Sequence, residues 1–148
     1  MSSDDLLPFA TTLRVRDGCL CLHVQRAARA LARRYDDAFR RLGITSGQFS
    51  LLMSLNRPEP PAMAQVATLL DMDRTTLTAA LKPLERRGLL TVAVDAKDRR
   101  SRRLALTNAG RALLARAVPA WERTQAEVEP LVTGADPQAL RETLRALS

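Results

Sequence analysis

Apolar residues return every three or four positions along much of this chain. The longest series is Leu20, Val24, Ala27, Leu31, Tyr35, Ala38 and Leu42. At 3.6 residues per turn these positions share one stripe of a helix that opens near Asp17-Gly18. Arg26, Arg29, Arg33, Asp37, Arg40 and Arg41 fall largely off that stripe, and Gly43 is placed to end the helix. A stripe of this length has more to cover than the rest of one subunit easily supplies. Residues 1 to about 16 carry no firm period and are interrupted by Pro8, which predicts an arm.

Beyond Gly43 the elements shorten. Thr45-Ser46 supplies an N-cap for a helix with Phe49, Leu52, Met53 and Leu55 inside, stopped by Pro58, Pro60 and Pro61. Ala62 to Leu70 reads as a short helix facing Val66, Leu69 and Leu70 inward. Asp71-Met72-Asp73 is a turn, and Asp73 caps a helix that runs to about Arg87 and closes at Gly88. That helix buries Leu77, Leu81 and Leu84 and presents Arg74, Thr75, Thr78, Ala79, Lys82 and Arg86 outward. Pro83 inside it removes the bond to the Ala79 carbonyl and is expected to bend the last turn.

The period then changes. Leu89 to Val94 is apolar and β-branched, and Arg103-Leu104-Ala105-Leu106 reads as a second strand. Asp95 to Arg102 between them is a polar, arginine-dense loop, which predicts a β-hairpin with a charged tip. Thr107 caps a long helix to about Glu129 that carries Leu113, Leu114, Ala117 and Trp121 on one face, with a kink expected at Pro119. Asp136-Pro137 starts a terminal helix lined by Leu140, Leu144 and Leu147. The predicted fold is mainly α with a small β-hairpin wing (α+β): a winged helix-turn-helix between long terminal helices.

Composition narrows the function. The chain has 148 residues, 46% of them hydrophobic and only 3% aromatic, which suits an aliphatic helical core. Its one histidine, His23, makes Ser-His-Asp or Cys-His catalysis improbable and rules out a multi-histidine metal site within the chain. There is no glycine-rich phosphate loop, and no cofactor or metal is expected. No apolar run approaches the ~20 residues that span a bilayer. The acidic start Met1-Ser2-Ser3-Asp4-Asp5 lacks the cationic opening of a signal peptide, so a cytoplasmic protein with no membrane partner is expected. The net charge is +7, and the excess is local: from Asp73 to Arg103 nine cations stand against four acids. A concentrated positive region of this kind suits a polyanion.

The short-chain outer face of Thr75, Thr76, Thr78 and Ala79 lets a helix backbone sit close to base edges in a major groove. The loop arginines are placed to reach an adjacent minor groove. On these residues the chain resembles the MarR family of transcriptional regulators over nearly its whole length from about Asp17. The resemblance is carried by Leu42-Gly43-Ile44-Thr45 with Gln48-Phe49, by Asp73-Arg74-Thr75-Thr76-Leu77-Thr78, and by Leu84-Glu85-Arg86-Arg87-Gly88-Leu89. Asp95-Ala96-Lys97-Asp98-Arg99-Arg100 and Leu106-Thr107-Asn108-Ala109-Gly110 complete it. It departs at Ala79, where many relatives carry a longer polar or basic residue.

The resemblance implies a homodimeric, non-enzymatic repressor on a palindromic double-stranded operator. Residues 1–44 and 111–148 would supply dimerisation helices, and residues 45–110 the DNA-binding lobe. It places Arg100 in the minor groove and Asp98 in support of the wing. The DNA-contacting set is then Arg74, Thr75, Thr76, Thr78, Lys82, Arg86, Lys97, Arg99, Arg100 and Arg102. A winged-helix protein-interaction module with its wing on an acidic partner is the alternative.

Regulation leaves several readings open. Cys19 and Cys21 fall at the start of the long first helix, where unpaired N–H groups favour a thiolate. A disulfide between them inside one helix is disfavoured, because positions two apart point to nearly opposite sides. Counted back from Tyr35, Cys21 matches the reactive cysteine of the family's organic-hydroperoxide-sensing branch, and Tyr35 one of that branch's two supporting tyrosines. Gln25 stands where the other would be. Both cysteines also fit as small packed hydrophobes, and with His23 as soft-metal ligands. MarR relatives often bind small aromatic effectors between dimer helices and DNA lobes, for which Tyr35, Phe39 and Trp121 are the candidate liners and also ordinary core residues.

Overall fold

The structure is a computed structural model that describes residues 6–148, so the expectation for Met1–Asp5 lies outside the described residues. Among the described residues seven α-helices and one hairpin follow in the order α1 (Phe9–Gly18), α2 (Leu20–Phe39), α3 (Ser46–Ser54), α4 (Met63–Leu70), α5 (Arg74–Arg86), β1 (Leu90–Val94), β2 (Arg102–Leu106), α6 (Asn108–Val128) and α7 (Pro137–Ala146). Among the described residues no helix is long and apolar enough to cross a membrane.

The N-terminal segment departs from the sequence expectation. Phe9–Gly18 is helical, with Pro8 in extended backbone at the N-cap, and none of its residues is buried. Its apolar residues gather on no one face, which is why no period marks it. The predicted single start at Asp17-Gly18 is instead a junction of two helices. Cys19 sits there in extended backbone (φ −75°, ψ 110°) and is the N-cap of α2.

Residues that build the core come almost wholly from the middle of the chain. Phe39, Leu51, Leu52, Val66, Leu77, Leu84, Leu90 and Leu104 have essentially no exposure. Burial of each aliphatic side chain contributes about 1.5–3 kcal/mol. Phe39, the one fully buried residue of α2, stacks on Phe49 of α3 with ring centroids 4.7 Å apart. A 3-10 turn (Arg40–Leu42) follows, and Gly43 at φ +70° closes it in a conformation open to glycine. Thr45 and Gln48 then form a reciprocal capping box that starts α3.

The hairpin is antiparallel, with Leu90 opposite Leu106 and Val92 opposite Leu104. These four residues form its inward face, as a period of two requires. Arg102 opens β2 rather than ending the loop. A third segment joins the sheet edge: Leu104 N–H donates to the Pro61 carbonyl (3.0 Å), and Ala62 bridges Arg103. Both interior prolines are accommodated, since α5 continues to Arg86 past Pro83 and α6 runs as one helix through Pro119.

The start of α6 is fixed at one tight seam. Thr107 donates its hydroxyl to the Gly88 carbonyl (2.6 Å) and its N–H to the Leu89 carbonyl (3.2 Å), while its Oγ1 accepts from Gly110 N–H (3.0 Å). A Cβ on Gly110 would lie 2.1 Å from the Leu89 carbonyl oxygen, so only glycine fits. Gly110→Ala is therefore expected to lower unfolding free energy by about 1–3 kcal/mol in a denaturant titration. Gly134→Ala, which meets nothing within 4 Å, is the control. Equal midpoints for the two variants would contradict the close approach.

Candidate nucleic-acid interface

The turn between α4 and α5 holds three residues and determines how the outer face of α5 is presented. Asp71 ends α4 at φ +51°, a left-handed conformation that aspartate tolerates better than most side chains. Asp73 begins α5 by accepting Thr76 N–H at 2.7 Å. Leu77, Leu81 and Leu84 anchor the helix inward. Arg74, Thr75, Thr76, Thr78, Lys82 and Arg86 lie on its outer side, and all six are exposed. Thr78 donates its hydroxyl to the Arg74 carbonyl (2.7 Å), one turn back along the helix. A shallow groove of about 400 Å³ runs along Arg74, Thr75, Thr78, Ala79 and Lys82.

The hairpin tip is ordered by its own backbone. Asp98 accepts Arg100 N–H (3.0 Å) on its carboxylate and Ser101 N–H (3.0 Å) on its carbonyl, and Ser101 in turn accepts Asp95 N–H (3.1 Å). Lys97, Arg99 and Arg100 are exposed. Arg102 is half-buried and donates to the Arg99 and Ser101 carbonyls, so its guanidinium serves the loop itself. Arg74 of α5 and Arg100 and Arg102 of the wing line one groove of about 300 Å³ with Met63, Ala64, Asp98 and Ser101. The fold thus brings together cations that lie far apart in the chain. Lys82 and Arg86 sit further along α5, outside that groove.

Two structural contributors escaped the sequence reading. Asp95, 8% exposed, accepts Lys97 N–H (2.8 Å) and Arg103 Nε (2.8 Å). Arg103 also donates to the Pro60 carbonyl (3.2 Å). Arg87, at the end of α5, donates to the Gly43 carbonyl (2.7 Å) and the Leu42 carbonyl (3.4 Å), which ties the lobe to the end of the long helix. The available signal for Asp95 was its position at a strand end, eight residues before an arginine on the facing strand.

The regulatory candidates separate in space. Cys19 is half-buried and its Sγ accepts Leu22 N–H (3.5 Å), whereas Cys21 is exposed, and both are free thiols. The His23 Nδ1 lies 2.7 Å from the Cys19 carbonyl. Among the described residues no three His, Cys, Asp or Glu side chains converge as a metal site. Tyr35 donates to Gln125 of α6, and burial, followed by the nearby Glu129 charge, raises its pKa. An open apolar cavity of about 600 Å³ lies between α3, the end of α4 and α6. Trp121, 37% exposed, lines it with Phe49, Met53, Leu69, Leu70 and Val118, and Asn56 and Arg57 supply polar groups. Tyr35 and Phe39 are not among its walls, and Phe39 is core. Leu69, expected inside, is 57% exposed on this cavity's edge.

Titration of the α5 cap gives a measurable consequence. Hydrogen bonds from Thr76, its backbone N–H first, hold the Asp73 carboxyl below the usual carboxylate range. A lowered folded pKa means stability that is present above the unfolded value of about 4 and lost as pH falls through the folded value. Asp95 and Glu129 shift in the same direction. Unfolding free energy should thus rise with pH across the acid limb. In Asp73→Asn, which still caps but does not titrate, that rise should be shallower. Identical acid limbs in the two proteins would remove Asp73 from the account.

Comparison with known proteins agrees with this geometry. Residues 44–101 match the MarR family. The chain is 31% identical over 99 residues to the organic hydroperoxide resistance transcriptional regulator of Bacillus subtilis (strain 168), covering 67% of each protein. It is similar to the transcriptional regulator MosR of M. tuberculosis, solved in complex with DNA, with 39% identity and a TM-score of 0.79, covering 87% of this chain and 92% of that one. It also resembles the transcriptional repressor CouR bound to a 23-mer DNA duplex, with 29% identity and a TM-score of 0.77, covering 90% of this chain and 94% of that one. With a helix-turn-helix, a cationic wing and these relatives, the chain belongs to the MarR family of DNA-binding transcriptional regulators.

Proposed function

We propose that this protein is a homodimeric repressor that reads a palindromic operator through α5 and the wing. The observation that carries this reading is the groove that Arg74 of α5 shares with Arg100 and Arg102 of the wing, which sets cations of both elements side by side. In this reading α5 enters the major groove, with its threonines and Arg74 near base edges or phosphates. Lys82 and Arg86 sit along the backbone, and Arg99 and Arg100 reach the adjacent minor groove with Lys97 beside them. The repressor assignment takes support from the similarity to CouR, itself a transcriptional repressor.

Dimerisation is supported by apolar residues that this chain leaves uncovered. Leu20, Val24 and Leu31 of α2 and Leu140, Leu144 and Leu147 at α7 are between 37% and 72% exposed. They lie in the proposed dimerisation regions 1–44 and 111–148, flanking the lobe of residues 45–110. A second copy that covers them would present two α5 helices to successive major grooves.

Two inputs fit this frame. The exposed Cys21 sulfur would attack the O–O bond of an organic hydroperoxide, taking its terminal OH to become a sulfenic acid while the thiol proton leaves with the alkoxide as the alcohol. Similarity to the organic hydroperoxide resistance regulator supports this route. The cavity beside Trp121 supports a small aromatic effector. Trp121 is the only tryptophan in the sequence, so its fluorescence reports occupancy directly.

Selection of bound genomic fragments should return a duplex with two half-sites, and a scrambled duplex should not compete for it. Retention of both alike, or preference for an acidic peptide, would replace the operator reading by a protein-interaction module. With about six to ten phosphate contacts per dimer, affinity should fall by about 10³–10⁵ between 50 and 200 mM salt. Organic hydroperoxide should weaken binding of the wild type and spare Cys21→Ser. Equal loss in both would exclude the Cys21 route.

A further inference from the structure

From the wing root we infer that Asp95 is the positioning residue of the DNA-reading wing: its carboxylate locks the hairpin to the helix-turn-helix and so fixes where Arg99 and Arg100 stand relative to α5. This rests on the wing–DNA reading given above, and it assigns Asp95 no contact with DNA.

A two-stranded hairpin is only marginally stable by itself and needs outside anchoring to hold one orientation. The tip here is internally ordered, but its order is local. Asp98, the residue expected to support the wing, accepts only Arg100 N–H on its carboxylate, within the tip itself. It therefore shapes the tip without relating it to the rest of the lobe.

Asp95 does relate them. Its Oδ1 takes Lys97 N–H, the first donor of the tip, and its Oδ2 takes Arg103 Nε on the facing strand. The same guanidinium donates from Nη1 to Pro60, and the next residue, Leu104, donates its N–H to Pro61. Ala62, the N-cap of α4, completes this edge by bridging Arg103. The connection therefore runs from the tip through Asp95 and Arg103 to the start of α4, and from α4 across a three-residue turn to α5. Only an anionic acceptor makes both charge-assisted contacts at the buried root. An asparagine, with one acceptor oxygen, would keep only one of the two contacts and turn its NH2 toward the other donor.

The test compares Asp95→Asn, Arg100→Ala, their double variant and Arg103→Gln on the duplex recovered by fragment selection, by fluorescence anisotropy from 50 to 200 mM salt. Arg100→Ala should weaken binding about fivefold. Asp95→Asn should weaken it by a similar factor, and the double variant should bind about as Asp95→Asn does. The salt slope should become shallower by about one for each phosphate that the wing no longer reaches, in Asp95→Asn as in Arg100→Ala. Simple destabilisation would lower the melting temperature without changing that slope. Arg103 is 44% exposed at its side chain, so Arg103→Gln breaks the same tie from its solvent side and carries the comparison if Asp95→Asn does not fold. Losses that multiply in the double variant, or wild-type binding by Asp95→Asn beside a weakened Arg100→Ala, would overturn the role of Asp95 and leave the wing reading intact. Wild-type binding by Arg100→Ala would overturn the wing reading and the Asp95 role together.

Discussion

The close approach of α6 to the corner between α5 and β1 governs the geometry of the whole lobe. Three elements meet where Thr107 and Gly110 press on the Gly88 and Leu89 carbonyls. Gly88 itself turns at φ +72°, so α5 ends and the first strand begins within two residues of that contact. With β2 leading directly into Thr107, the hairpin is held at both of its ends by one seam. The aliphatic core beneath then has a single arrangement to fill. Leu84, Leu90, Leu104 and Leu106 close it from α5 and the two strands.

The same division of roles explains why the lobe's surface remains cationic although it contains acids. Asp73, Asp95 and Asp98 each direct a carboxylate at a nearby backbone N–H, on Thr76, Lys97 and Arg100 respectively. Of these, Asp95 alone also pairs with a guanidinium, that of Arg103. The carboxylates therefore build the turns and caps that present the reader, while Arg74, Arg86, Arg99 and Arg100 remain exposed toward solvent. Their charges act at the surface, where a polyanion meets them and where salt screens them.

Elements whose apolar residues gather on one face were legible in the sequence, whether or not this chain covers that face, and elements without such a face were not. The stripe of α2, the caps at Thr45, Asp73, Thr107 and Asp136, and the two strands follow from period and terminus chemistry. Helix α1 left no trace because its apolar residues gather on no one face. Of the aromatic candidates, Phe39 and Tyr35 are one turn apart on the same helix face, yet Phe39 reaches the α3 core while Tyr35 stops at Gln125. A one-dimensional period cannot separate those depths. The cavity beside Trp121 is built by three helices distant in the chain, so no local pattern announces it. Asp95 reads as an ordinary turn residue until the register sets Arg103 across from Ala93.

The ties between the lobe and the long helices decide what the proposed regulation would have to move. Arg87 holds the Leu42 and Gly43 carbonyls, and Asp36 accepts Ser46 N–H (2.6 Å), so the end of α2 is bonded to the end of α5 and to the start of α3. On the other side Tyr35 donates to Gln125, Gln125 to Glu129, and Arg141 of α7 to Glu129. A displacement of the end of α2 is therefore carried to α5 through Arg87 and to α3 through Asp36, while the Tyr35–Gln125 bond couples α2 to α6. A tenfold loss of DNA affinity needs only about 1.4 kcal/mol of differential stabilisation between two arrangements. That is comparable to one hydrogen bond of this kind. Under the proposed regulation, a signal at the α1–α2 junction or beside Trp121 would thus have to favour a different seating of one or two of these bonds, with the folded lobe itself unchanged.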